Sequence, residues 1–146
     1  MFKKILCPVD FSDTSMNAAN NAINFSMEIK AEITFIHAID IQALQNIGDL
    51  SGGGINDMNL LIEEEKPVLK KLKDECDKKG IKVKTILTHG EPVSVILETI
   101  KEDGHDLIIM GTHGKTGLTR LVMGSIAENV LRKSDIPVLL YHCKKC

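Results

Sequence analysis

The sequence predicts an α/β architecture: a five-stranded parallel sheet in the order 3-2-1-4-5, with helices on both faces. Three observations carry this prediction. Short β-branched apolar runs alternate with longer amphipathic stretches along the whole chain, giving strand and helix in strict succession. Right-handed crossovers then force a parallel sheet covered on both sides. Finally, the two most chemically distinctive stretches, PVDFS and a glycine cluster, each follow a strand, and the carboxyl ends of strands are where such sheets bind ligands.

Residues 3–9, KKILCPV, read as a short buried strand. Ser12 and Asp13 then offer caps for a helix whose Met16, Ala19, Ile23 and Met27 share one face. The run EITFIHAI, 32–39, is the second strand. Residues 42–57 contain GDLSGGGIND, too glycine-rich for a regular element and expected to form a mobile surface loop. From 58 to 79, Leu61, Ile62, Leu69, Leu72 and Cys76 suit an amphipathic helix closed by Gly80, with Pro67 starting its regular part or kinking it. IKVKTIL, 81–87, alternates like a strand near a sheet edge. Glu91 and Pro92 open a further helix with Val93, Ile96, Leu97 and Ile100 as its buried stripe, ended by Gly104. DLIIMG is a fully buried strand, a last helix begins at Ser125, and Pro137 restarts an extended run, VLLYH, as the fifth strand.

A chain of 146 residues with 43% apolar and 26% charged content reads as one domain, 1–146, with one core. Eighteen basic against 20 acidic residues leave a net charge of −2, and four Phe with one Tyr supply no stacking platforms, which argues against a nucleic-acid binder. No apolar run approaches the ~20 residues that span a bilayer, and MFKKILCPVD meets its Asp too early for a signal peptide. A cytoplasmic protein without membrane association is expected. Cys7, Cys76, Cys143 and Cys146 are not spaced as a disulfide scaffold, so reduced thiols are expected.

Residues 111–125, GTHGKTGLTRLVMGS, fit G-x2-G-x9-G-S through Gly111, Gly114, Gly124 and Ser125. Glycine lets backbone N–H groups close around phosphate oxygens, and the first turn of the following helix adds partial positive charge. The spacing matches neither the Walker pattern nor G-x-G-x-x-G.

With KKILCPVDFS at the start, FIHAID after the second strand, DLIIMGTHGKTGL and MGSIAENVLRKSDIPVLL, the chain resembles the universal stress protein family, in the subgroup that binds ATP. The resemblance covers nearly the whole chain and implies a Rossmann-like fold of the adenine nucleotide alpha hydrolase type. It also implies that Pro8, Val9 and Asp10 edge an adenosine pocket, that Ala38 and Met110 line its adenine side, and that Asp10 anchors ribose or adenine. Gly111, Gly114, Gly124, Ser125 and the backbone at Ile126 would hold the phosphates, with Mg²⁺ or Mn²⁺ bridging them. Ala38 departs from the larger aliphatic residue expected there, which would loosen the adenine slot.

Plainer readings stand beside these. Asp10 also suits a helix cap, and the glycines a tight crossover. Lys115 and Arg120 suit phosphate neutralisation and solvated loop cations equally. His113 lacks a partner that would make it a general base, and His37 is expected to be a satisfied, partly buried histidine. His142, Cys143 and Cys146 offer three soft-metal ligands, but no second pair completes a zinc site, and a frayed tail is expected. The functional expectation is an ATP-binding regulator or sensor in stress response with a regulatory protein partner. The alternatives are a slow ATPase or phosphotransferase using the same site with a divalent metal, and a ligand-free dimeric scaffold. A homodimer through the fifth strand is expected, because an apolar edge strand invites pairing.

Overall fold

A computed structural model of the chain describes residues 1–47, 55–113 and 123–143. The elements run β1 (Lys4–Pro8), α1 (Asp13–Ile29), β2 (Glu32–Ile39), α2 (Ile41–Ile47), α3 (Ile55–Lys78), β3 (Val83–His89), α4 (Pro92–Asp103), β4 (Leu107–Gly111), α5 (Ser125–Lys133) and β5 (Val138–Tyr141). The strands pair in parallel in the predicted order, β3-β2-β1-β4-β5.

Alternation along the strands explains the two apolar layers. Ile5 and Cys7 of β1, Ile33 and Phe35 of β2, and Leu107 and Ile109 of β4 face Ala19, Ala22 and Ile23 of α1 and Leu69, Leu72 and Cys76 of α3. Leu6, Ile36, Ile108 and Met110 point the other way, onto Val93, Ile96 and Ile100 of α4 and Ala127 and Val130 of α5. Because both faces are covered, the central strands are apolar at most positions rather than at every second one. The edges differ. β3 is only partly buried, and Lys84 on it is held by Asp103 at 2.8 Å, while Lys82 just before it meets Glu32 at 3.0 Å. β5 carries Val138 and Leu140 onto the α4/α5 layer, whereas Leu139 is 36% exposed.

The helix boundaries follow from capping. Ser12 caps α1 by accepting from the Ser15 amide at 3.2 Å. Glu91 caps α4, accepting from the amides of Val93 and Ser94 at 3.1 and 2.8 Å, and Gly104 ends that helix in the left-handed region at φ 68.

Several expectations need correction. The segment 42–57 is not without regular structure: α2 occupies Ile41–Ile47 and α3 begins at Ile55, leaving 48–54 outside the described residues. Asp40 nucleates α2, its carboxylate accepting from the Ala43 amide at 3.1 Å and its carbonyl from Leu44 at 3.2 Å. Met27 is 48% exposed and leaves the buried stripe of α1; Ser26 takes the core position and donates to the Ala31 carbonyl at 2.7 Å, folding the chain back into β2. β3 starts two residues later than expected, since the Ile81 amide still bonds the Cys76 carbonyl of α3 and Gly80 turns the chain at φ 70. α3 runs through Pro67 rather than starting there. Cys143 is disulfide-bonded, against the expectation of reduced thiols, while Cys7 and Cys76 are free and buried.

Candidate functional site

β1 and β4 lie side by side, Ile5 opposite Leu107 and Leu6 opposite Ile108. From β1 the chain crosses to β2 on one side, and from β4 to β5 on the other. Their carboxyl ends therefore flank the crevice where strand order reverses.

At the end of β1, the Val9 amide still donates to the Ile36 carbonyl of β2 at 2.9 Å, and the chain then tightens into a loop closed by its own side chains. The Asp10 amide donates to Ser15 Oγ at 3.0 Å; Asp10 Oδ1 accepts from the Ser12 amide at 3.0 Å and from Ser12 Oγ at 2.6 Å. Asp10 thus does help to build the helix start, through Ser12, which is the actual cap. Phe11 sits between them at φ 65, a left-handed conformation that side chains other than glycine's rarely adopt. Such strain persists only where the surroundings enforce it.

The predicted site residues sort by sheet face. Pro8 ends β1, Ala38 and Met110 stand one residue before the ends of β2 and β4, and all three share the pleat direction of Leu6, Ile36 and Ile108, toward the α4/α5 layer. Ala38 is partly exposed, whereas Met110 is 5% exposed and packed into that layer. Val9 has its side chain in the opposite layer, so only its backbone reaches the crevice. Gly111 is explained without a ligand: a Cβ there would stand 3.0 Å from Thr14 Cγ2 and 3.1 Å from the Thr14 carbonyl oxygen, so its glycine lets α1 close on β4. Gly114, Lys115, Arg120 and Cys146 lie outside the described residues.

At the start of α5, the Gly124 amide donates to the Thr112 carbonyl at 2.7 Å, tying the first turn of this helix to the end of β4. Glu128 donates the first intrahelical bond, to the Gly124 carbonyl at 3.0 Å, so the amides of Ser125, Ile126 and Ala127 precede the helical ladder. Ser125 is exposed and Ile126 is 37% exposed. The Glu128 carboxylate, which would oppose an anion there, is drawn off by Arg132 at 2.9 Å.

Sequence reasoning missed two features. Thr112 Oγ1 lies 2.9 Å from His113 Nδ1 and 3.2 Å from His142 Nδ1, the two rings being 5.6 Å apart. His113 therefore has a hydroxyl partner, and among the described residues no carboxylate bonds it as it would a general base. His37, buried and satisfied as expected, also reaches Glu65 of α3 through its second nitrogen. Thr112 and His113 are adjacent, but His142 and Glu65 come from far along the chain, where no spacing announces the contact. Among the described residues no group of three His, Cys, Asp or Glu could hold a metal ion, and no helix is long and apolar enough to cross a membrane. A cavity of about 590 Å³, lined by Phe2, Met27, Ile29, Lys30 and Ile81 among others, opens at the amino-terminal edge of the sheet, away from the crevice.

The model of the universal stress protein family matches residues 1–142. Universal stress protein MJ0531 of Methanocaldococcus jannaschii is 39% identical over 140 residues, covering 96% of this chain and 82% of the relative. Universal stress protein MJ0577 of the same organism is 37% identical over 153 residues, covering 96% and 94%. The solved structure of MJ0577 superposes with a TM-score of 0.87 at 36% identity over 100% of this chain and 99% of the other. Two more distant structures share the fold: a universal stress protein in complex with cAMP, TM-score 0.71 at 20% identity over 97% of both chains, and one from Archaeoglobus fulgidus in complex with dAMP, 0.64 at 22% over 96% and 97%. The chain belongs to the universal stress protein family.

Proposed function

We propose that the chain binds ATP in the crevice between β1 and β4 and acts as a nucleotide-dependent regulator in stress response, read by a protein partner. The observation that carries this reading is the junction at Thr112 and Gly124, which sets the first turn of α5 at the carboxyl end of β4, beside the Asp10 loop. Amides ahead of a helical ladder suit phosphate oxygens, and Ser125 adds a hydroxyl. The adenosine would lie toward Pro8, the Val9 backbone, Asp10 and Ala38, with the phosphates toward Gly114, Gly124, Ser125 and Ile126. The cAMP and dAMP complexes of its structural neighbours support an adenine nucleotide as the ligand class. Asp10 Oδ1 is already engaged by Ser12, so Mg²⁺ or Mn²⁺ would arrive on the phosphates and be held chiefly by them.

Calorimetry with ATP, ADP, AMP and cAMP, each with and without Mg²⁺, tests the reading. Saturable ATP binding that falls at least ~100-fold in a folded Gly124→Val variant supports it, because a branched side chain obstructs close approach to phosphate. Wild-type affinity in that variant would sink it. Turnover of ATP that is lost in Asp10→Ala would instead favour the phosphotransfer alternative.

A further inference from the structure

We infer that His37 is a positioning residue that couples the amino-terminal half of α3 to the β1–α1 loop, so that filling the crevice is read out as a change in how α3 is seated. His37 stands at the carboxyl end of β2 with its two nitrogens engaged on opposite sides. Nδ1 is 2.7 Å from the Val9 carbonyl oxygen, and since a carbonyl only accepts, that nitrogen carries the proton. Nε2 is 3.0 Å from Glu65 Oε2, the two side chains being 9% and 16% exposed. Glu65 Oε2 is buried and has no aligned hydrogen-bond donor, so the contact holds the two side chains together through charge, with a second proton on Nε2 setting an imidazolium beside the carboxylate. The Phe11 ring lies 4.6 Å from the imidazole, on the residue whose backbone is held at φ 65. One imidazole therefore touches the residues on both sides of Asp10.

α3 is poorly held on this side. From Met58 to Val68 no side chain is buried; the buried positions are Leu69, Leu72 and Cys76. Pro67 stands at the boundary and cannot donate the backbone hydrogen bond that would tie it to the preceding turn. Among the described side chains, full apolar burial is thus confined to the carboxyl-terminal half, and Glu65 makes an inward polar contact from the other. Segments with few buried contacts are those that open at low free energy. A shift of Val9 and Phe11 on nucleotide binding would reach Glu65 through one rigid ring.

The test has two arms, both on the full chain. In the nucleotide-free protein, hydrogen exchange is read at the amides of Asp10, Ser12 and Ser15, which bond Ser15 Oγ, Asp10 Oδ1 and Ser12 Oγ. Glu65→Ala, though remote from all three, is expected to speed their exchange roughly tenfold, and Glu65→Gln, whose amide oxygen still accepts from a protonated Nε2 and whose amide N–H donates to an unprotonated one, to restore it within about twofold. In His37→Asn, whose amide nitrogen stands in for Nδ1 but cannot reach α3, Glu65→Ala should add less than about twofold. Unchanged exchange in Glu65→Ala, or an undiminished effect in the His37→Asn background, overturns the coupling. If His37→Asn does not fold, the Ala and Gln variants of Glu65 decide it alone. The second arm rests on the nucleotide reading: ATP with Mg²⁺ should change exchange across residues 58–66 in the wild type and not in Glu65→Ala. ATP binding without that change overturns the inference; absence of ATP binding overturns the proposed ligand while the first arm still decides the coupling.

Discussion

The edge strand β5 yields the prediction that the geometry specifies most closely. In a two-fold antiparallel pairing of Val138–Tyr141 with a second copy, the axis falls near Leu139 and Leu140, and each residue meets its counterpart within about one position. Leu140 is the wrong residue to replace, because it packs with Val138 against the α4/α5 layer and an Asp there would damage the fold itself. Leu139, 36% exposed, can be changed with little cost to the monomer. In a dimer, Leu139→Asp would bring two carboxylates to roughly 6 Å, a repulsion of about 1–3 kcal/mol at effective dielectric constants between 80 and 20. Losing partial burial of two leucines adds about 1–2 kcal/mol. The sum, about 2–5 kcal/mol, corresponds to a dissociation constant raised roughly 30-fold to several thousand-fold. Sedimentation equilibrium over a concentration series measures it, with urea unfolding of the dilute protein as the control for folding. A wild-type chain that is monomeric throughout, or a Leu139→Asp dimer of unchanged affinity, would refute the reasoning.

Three further outcomes are expected. Gly111→Ala should cost about 1–3 kcal/mol in urea unfolding, because the added carbon meets the Thr14 backbone at 3.1 and 3.2 Å, and α1 cannot retreat without opening the core. Glu91→Ala should cost about 0.5–2 kcal/mol at pH 7. Desolvation opposes the Glu91 charge, but the hydroxyl and amide of Ser94 and the amide of Val93 outweigh it and hold the carboxyl below its ordinary 4.5; its contribution is therefore whole above that pH, and the gap between variant and wild type should close as pH falls through the lower folded value. His105 is buried, which pushes it below its ordinary 6.5 despite the Thr99 carbonyl at 3.3 Å, with Lys4 and Lys84 opposing its charge and Asp103 favouring it. The unfolded chain takes up that proton first, so stability should decline as pH drops below 6.5, no faster than about 1.4 kcal/mol per pH unit, and His105→Gln should flatten the decline in urea midpoints between pH 7.5 and 5.

The sheet was legible in the sequence because its signal is local and repeated: KILCP, EITFIHAI and LIIMG are apolar at nearly every position, and only a strand covered on both faces needs that. The stripe of α4 was equally plain, with Pro92 and Gly104 marking its ends. α2 was hidden by the glycines that follow it, although Asp40 supplied a cap. Gly111 shows a different limit. The motif pointed to phosphate, but whether a missing side chain makes room for a ligand or for a helix depends on how closely α1 approaches, which no spacing encodes. Likewise, Glu65 reads as one of many charges on a helix, and only the fold carries it to His37.

The unequal edges of the sheet have a consequence for assembly. On β3, Lys84 is tethered to Asp103, and Lys82 beside the strand is tethered to Glu32; a neighbouring strand arriving there would have to strip charged side chains from their partners. Among the described residues, β5 offers Leu139 and no such guard. If two copies pair through β5, a chain open on one side only would have a valency of one, so strand pairing would stop at two copies rather than extend into a continuous cross-molecular sheet.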